Sequence, residues 1–420
     1  MSKNSGQAIR RVAVIGAGII GMSAARYIQR DGAHVTVVDP LPPGKGTSFG
    51  NAGGIAVTEV VPLSVPGTLA RVPRWLLDPL GPLTIRWSYL PRLTPWLWRF
   101  WRAGTRKRVE AASEALASLL ARAYDDYEPL LLEAGIRDLL HRQGCISLYR
   151  SEAALEHDSL EWEIKRERGI RVERLGPNEI RQMEPDLAQV FHAGMFMPDW
   201  GHVADPYRIV AGIAEAFARS GGVIREGRVV SFEIGAEGPR SVDTVSGERI
   251  AFDQVVIAAG AWSHRLTRQL GSKVPLETER GYHTTLPNPG VDVRRMLHSA
   301  EGGFVLTPMS MGLRLAGTVE LGGLEAPPNF DRAKVLVTRA RQFLPKLNAD
   351  GGSEWMGFRP SLPDSLPVIA RSPRFANVFY AFGHGHLGLT EGATTGRIIA
   401  ALAAGRPPGI DLAPFRVDRF

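Results

Sequence analysis

Residues 12–21 read VAVIGAGIIG, an apolar run that ends in Gly16-x-Gly18-x-x-Gly21 and passes into a helix-like segment. In this arrangement the first glycine makes a tight turn and the second lets backbone approach a phosphate. The third lets the helix pack on the strand, and the helix N-terminus offers free N–H groups to a dinucleotide pyrophosphate. Context carries more weight than the triplet. Residues 11–15 read as a buried strand, 19–30 as a helix and 34–38 as a second strand ending in Asp39. An acid roughly 20 residues beyond the glycines is placed to accept hydrogen bonds from ribose hydroxyls and would repel a 2′-phosphate, which disfavours NADP.

Composition bounds the alternatives. The chain has 420 residues, 22% of them charged, enough for two domains with a substantial core. The single cysteine, Cys145, excludes an internal disulfide and any multi-cysteine metal or iron–sulfur site, and fits a reducing compartment. The first residues, MSKNSGQAIRR, lack the apolar centre of a signal peptide. No stretch of about 18 residues is both apolar and uncharged, so no spanning helix is expected. A formal charge of +7 is modest for this length and argues against a nucleic-acid groove.

A loop rich in small residues follows Asp39 (PLPPGKGTSFGNAGG, 40–54), suited to backbone lying against a ligand. Residues 71–108 then hold five of the nine tryptophans and nine Lys or Arg residues against one acid, Asp78. Two readings stand: contact with an anionic bilayer surface, where amphipathic rings and basic heads both find partners, or a Trp-rich cap over the active site. A single helix is expected over 107–127, ended by Pro129 and Gly135, and a charged helix over 152–168. Asp205-Pro206 opens another helix that Gly221 and Gly222 stop. Further strands are expected over 223–234, 254–260, 273–286, 303–316, 354–359 and 378–382. The last runs into a Gly-rich turn and a helix over 389–404.

The glycine triplet with Asp39, the TSFGNAGG loop, VVIAAGAW, GFRPSLPDSLPVI and the terminal FGHGHLGLTEGATTG with a closing DRF resemble the D-amino acid oxidase superfamily of FAD enzymes, and within it the bacterial D-amino acid dehydrogenases. The resemblance covers essentially the whole chain. It implies an α/β fold: a Rossmann-like FAD domain from residues 1–59, 201–272 and 357–420. Interleaved with it is an α+β substrate domain, from 60–200 and 273–356, carrying a mixed, largely antiparallel sheet. It implies that Gly16, Gly18, Ile20 and Gly21 hold the pyrophosphate and Asp39 the ribose. Ser48, Asn51, Ala52, Gly53 and Gly54 would line pyrophosphate and flavin, Val230 would meet the adenine, and Ala259 and Gly260 would pass beside the ligand. His384, Gly385, His386, Leu387, Gly388, Leu389 and Thr390 would wrap the pyrimidine end of the ring. FAD should be non-covalent, since no histidine lies in residues 47–54 and the only cysteine lies in a substrate-domain strand.

The further glycine triplet, Gly383-x-Gly385-x-x-Gly388, lies in the turn that the resemblance gives to the flavin, leaving none for a nicotinamide, so hydride should pass from substrate to flavin and the electrons onward to an external acceptor. Arg359 falls where related amine oxidases grip a substrate carboxylate, which a guanidinium pairs bidentately. Tyr282 and His283 alternate in facing, so only one points inward, and Tyr282 is expected to be that one. The expected activity is oxidation of D-amino acids, D-proline or hydroxy-D-proline types included, to imino and 2-oxo acids. A quinone or another membrane-side acceptor would take the electrons, and the protein would be cytoplasmic with a contact on the inner membrane face through 71–108. The alternatives are an oxidase of sarcosine- or glycine-type amines making peroxide, for which Lys273 is the candidate lysine beside the flavin, and a non-catalytic flavin-binding subunit.

Overall fold

The computed structural model describes residues 10–420, and residues 69–71 by their backbone alone. The leader-free reading of residues 1–9 and the side chain of Arg71 therefore lie outside the described residues.

The opening strand Arg11–Ile15 is central to a six-stranded sheet ordered Val223–Glu226, His34–Asp39, Arg11–Ile15, Gln254–Ile257, Val378–Phe382 and Val368–Arg371. The first five run parallel and the last is antiparallel. Both faces are covered, so the strands are apolar throughout instead of alternating. Val12, Val14, Val35, Val37, Val255 and Val256 are each at most 1% exposed, each contributing about 1.5–3 kcal/mol of burial. On one face pack the helices Ile19–Arg30, Pro206–Arg219 and Gly388–Ala403. On the other lie the antiparallel strands Val229–Gly235, Gly238–Thr244 and Arg249–Ala251 with the helix Ser263–Gln269.

A nine-stranded mixed sheet forms the second layer. Its main path runs Ser353–Ser361, Glu277–Leu286, Gly312–Leu321, Phe304–Met309, Met296–Ser299, Cys145–Tyr149, Ala193–Met197 and Glu173–Leu175, and Leu83–Ile85 pairs alongside Gly312–Leu321. Most neighbours are antiparallel. Cys145 is buried and free within it.

Several expected elements differ. The helix foreseen over 107–127 is two, Arg106–Leu120 and Ala123–Ala134, broken at Ala121 and Arg122. Pro129 lies inside the second helix, losing one ladder bond without ending it. The break turns Tyr127, 2% exposed, so that its hydroxyl donates to the carbonyl of Leu389. These two helices pack in the same core as Ile19–Arg30 and Gly388–Ala403, so part of 60–200 lies with the nucleotide-binding layer. The expected boundary at 357 falls inside the strand Ser353–Ser361. The 152–168 helix is likewise two, Glu152–His157 and Ser159–Glu167, and the 223–234 strand divides between two sheets.

Within the first layer, the helices Ile19–Arg30 and Gly388–Ala403 meet backbone to backbone. A Cβ on Gly396 would sit 2.6 Å from the Ser23 carbonyl carbon. Gly396→Val should therefore destabilise the fold by about 1–3 kcal/mol in urea denaturation. Gly46→Ala, where nothing lies within 4 Å, should stay within about 0.5 kcal/mol of the parent.

Candidate active site

Ligands in open parallel sheets bind beyond the carboxyl ends of the strands, and here those ends converge on one cavity. Ile15, Asp39, Gly227, Ala258 and Phe382 all line it. Its volume is about 1100 Å³, above the usual 300–1,000 Å³ of a small-molecule pocket.

The glycine turn is built as its spacing requires. Gly16 has φ +113°, and a Cβ there would lie 2.2 Å from the Ala258 carbonyl oxygen; one on Gly21 would lie 1.9 Å from the Gly16 carbonyl. Asp39 fixes this turn: its carboxylate accepts from the N–H of Ala17 at 2.7 Å and of Leu41 at 2.8 Å. Burial raises its pKa and those two bonds oppose the rise. Ser48 Oγ accepts from Ile19 N–H at 3.0 Å, tying the small-residue loop to the helix start. Gly18 and Ile20 face the cavity at that N-terminus.

Of the other residues singled out by sequence, Asn51, Ala52, Gly54, Val230, Ala259, Gly260, His384, Gly385, His386, Leu387 and Gly388 also line the cavity. Gly21, Gly53, Leu389 and Thr390 stand behind its wall. Thr390 Oγ1 donates to the Gly54 carbonyl and accepts from Ala56 N–H, stitching the C-terminal turn to the loop. His384 Nε2 meets Thr395 Oγ1 at 3.0 Å, and burial pushes the ring pKa down to about 3, so it is neutral. Its Nδ1, and Nε1 of the cavity residue Trp200, are buried without a hydrogen-bond partner. A chamber of this volume with a helix N-terminus, glycine turns and orphaned polar atoms on its lining fits FAD.

The reacting end is set by two adjacent strands. Glu277–Leu286 pairs antiparallel with Ser353–Ser361, so that Glu279 faces Arg359, Gly281 faces Gly357, and His283 faces Trp355. Side chains at these positions share a face. The paired glycines leave a floor of backbone, and a Cβ on Gly281 would lie 2.4 Å from the Arg359 guanidinium carbon. Arg359 thus lies flat across Gly281, enclosed by protein yet open to the cavity. Its Nη1 donates to the Thr318 carbonyl at 3.2 Å. Thr318 holds φ +51°, a strained backbone of the kind that collects at functional sites. Burial lowers the Arg359 pKa, and Glu279 counteracts that.

Of the alternating pair, Tyr282 lines the cavity and His283 does not, but the Tyr282 hydroxyl is bonded to protein. Tyr282 belongs to the opposite face with Arg280. It touches the cavity wall, but its hydroxyl donates to Glu320 and accepts from Asn329 N–H, and Arg280 Nη1 lies 3.3 Å from the same carboxylate. His283 lies on the face of Glu279 and Gly281 without reaching the cavity. Its Nδ1 meets the Gly50 carbonyl at 3.0 Å and its ring stacks on Trp355 at 5.2 Å. Lys273 is exposed and off the cavity.

The structure also shows groups missed in the sequence. Glu279 lines the cavity two residues before Gly281; the strand's period of two, anchored on His283, would have found it. Lys165 is 1% exposed and bonds Glu59 at 2.6 Å and Glu161 at 2.7 Å, both on the cavity wall. Burial alone would lower the Lys165 pKa, but Glu161 and Glu59 outweigh it and raise it. Nothing local in the sequence signals this pairing, since Glu59 is 106 residues away.

The 71–108 stretch does two things at once. Trp75 lines the cavity and Trp96 is buried against Phe100, while Trp87, Trp98 and Trp101 are 71%, 50% and 57% exposed. Among the described residues no helix is long and apolar enough to cross a membrane.

With this geometry in view, the comparisons with known proteins agree. The model of a family described as FAD dependent oxidoreductase matches residues 11–402. A D-amino-acid oxidase of Bradyrhizobium diazoefficiens is 40% identical over 98% of this chain and 99% of its own. A D-amino acid dehydrogenase of Paramagnetospirillum magneticum is 32% identical with the same coverage. Among solved structures, glycine oxidase from Geobacillus kaustophilus superposes with a TM-score of 0.77 at 23% identity, over 98% of this chain and 99% of that one, a likeness of fold.

Replacing Lys165 by Met strands two carboxylates in a largely apolar wall. The variant should lose about 3 kcal/mol of stability in urea unfolding. Adding Glu59→Gln and Glu161→Gln should recover most of it.

Proposed function

The chain belongs to the FAD-dependent oxidoreductase family, and from that premise we propose that it oxidises D-amino acids to imino acids, which hydrolyse to 2-oxo acids, and passes the electrons to a quinone or another membrane-side acceptor. The observation that carries this reading is Arg359. A guanidinium enclosed on the wall of a cavity of about 1100 Å³, with the Thr318 carbonyl as its one hydrogen-bond acceptor among the described residues, needs an anion. A substrate carboxylate supplies two parallel acceptors for it.

Bound FAD supplies the hydride acceptor. Gly16, Gly18 and the helix start at Ile19 would hold its pyrophosphate, and Asp39 its ribose. The remaining chemistry is orientation. Arg359 fixes the carboxylate and so orients the α-carbon, with the Trp355 ring packed over Gly357 beside it. The helix Gly388–Ala403 begins at the cavity, where its free N–H groups stabilise negative charge. The preference for the D-configuration is supported by the names of the relatives at 40% and 32% identity.

The membrane-side acceptor is supported by the exposed Trp87, Trp98 and Trp101 among the exposed cations Arg92, Arg99, Arg102, Arg106, Lys107 and Arg108. A second reading, transfer to O2, is favoured by the relative named an oxidase.

In anaerobic mixing, the FAD-loaded protein should be bleached by D-amino acids and not by their L-isomers. Absence of bleaching by any free amino acid would leave only a flavin-binding scaffold. Reoxidation should be faster with a quinone analogue than with O2, and the protein should sediment with anionic vesicles; rapid peroxide formation without sedimentation selects the second reading. Arg359→Lys should lower kcat/KM about a hundredfold with FAD retained.

A further inference from the structure

Arg359 is not the lone charge at the reacting end. Glu279 lies directly across the strand pair, on the same face, and also lines the cavity. One oxygen, Oε1, accepts from the Ser361 hydroxyl at 2.6 Å; Oε2 has no hydrogen-bond partner among the described residues. The two opposite charges feel one another, yet they form no ion pair within 4.0 Å among the described residues. Enclosed charges left apart are costly, because neither the solvent nor the partner compensates them. Nearby, Glu320 shows what this sheet does when it closes a pair: it takes Arg280 and Arg86 together. Glu279 and Arg359 instead both open onto the cavity, the Arg359 guanidinium lying over Gly281 and the Trp355 ring over Gly357.

A guanidinium and a carboxylate, side by side and unpaired, have the complement of a zwitterion. We propose that Glu279 is a catalytic residue that receives the α-ammonium of the amino acid whose carboxylate Arg359 holds, and takes one proton from it onto Oε2. The nitrogen lone pair is thereby freed before the α-carbon is oxidised, and Glu279 Oε2 passes the proton on to water. The proposal rests on the reading of Arg359 as the carboxylate clamp. It adds a purpose for the strand period: Glu279, Gly281 and His283 alternate with Arg280 and Tyr282, so the acid reaches the cavity while the Tyr282 hydroxyl does not.

The titratable groups facing Glu279 are Arg359 from the paired strand, His386 from the C-terminal turn and Glu277 on its own strand, which Tyr89 holds by a hydrogen bond of 2.9 Å. Burial lowers the His386 pKa, and Glu59 and Glu279 only partly restore it, so the imidazole is neutral and competes little for the substrate proton. Burial, and the charge of Glu279 beside it, also raise the Glu277 pKa.

The test compares two ligands on the FAD-loaded protein, by the shift each causes in the flavin absorbance under anaerobic conditions. Propionate has the carboxylate of D-alanine and no amine. Glu279→Gln should bind propionate at least as tightly as the parent, because a like charge is gone. Its apparent affinity for D-alanine should fall about tenfold or more, the loss of a charge-assisted hydrogen bond. The deficit of Glu279→Gln in the rate of flavin bleaching by D-alanine should shrink as pH rises through the pKa of the substrate ammonium, since free amine then needs no acceptor. Glu279→Asp should keep the pH profile of the parent. If Glu279→Gln weakens propionate and D-alanine by the same factor, or its deficit is flat with pH, Glu279 merely positions Arg359 and the proposal is overturned. Arg359→Lys should weaken both ligands; if propionate binding survives it, the clamp itself is misassigned and the present inference falls with it.

Discussion

Three stretches far apart in the chain are held together by contacts that leave no room for a side chain. Gly16 presses on the Ala258 carbonyl, Gly21 on Gly16, and Gly396 on the backbone of Ser23 and Ala24. Each contact brings peptide groups to a separation that a Cβ would forbid, and Gly16 pays for it with a φ of +113° that other residues rarely adopt. The first strand, the middle strand and the last helix can assemble only in this way. The nucleotide chamber is the space that remains once they have done so.

The same device recurs at the reacting end with a different result. Gly281 and Gly357 face one another across two strands, and their backbone becomes a floor on which the Arg359 guanidinium and the Trp355 ring lie. Around it the charges are unevenly resolved. Arg280, Arg86 and Glu320 form a closed cluster behind the sheet, which also captures the Tyr282 hydroxyl. Lys165 closes a second cluster with Glu59 and Glu161. Arg359 and Glu279 stay open. This opposite pair faces the cavity, where the proposed zwitterionic substrate would meet both.

The Trp-rich segment shows why a composition can support two readings. Its amphipathic helices send Trp75 and Trp96 inward and Trp98 and Trp101 outward, so the capping function and the exposed aromatic-cationic face coexist on one stretch. Tryptophan counts cannot separate these; only the helix phase relative to the core does.

The sequence by itself determined the nucleotide half. The glycine spacing, the acid after the second strand and the apolar runs at 12–15 and 254–257 are local signals, because turn geometry and a both-faces-buried strand constrain each residue through its immediate neighbours. The position of Arg359 at the end of a strand was legible for the same reason. What lay beyond it was which face of a strand looks into the cavity. Alternation states that Tyr282 and His283 differ, but the sheet's neighbours choose between them, and they sent Tyr282 to Glu320 and His283 to Gly50. The partner of Lys165 and the confrontation of Glu279 with Arg359 arise from pairings across 106 and 80 residues. Distances of that kind exist only after the chain has folded, so tertiary structure alone decided the charges at the reacting end.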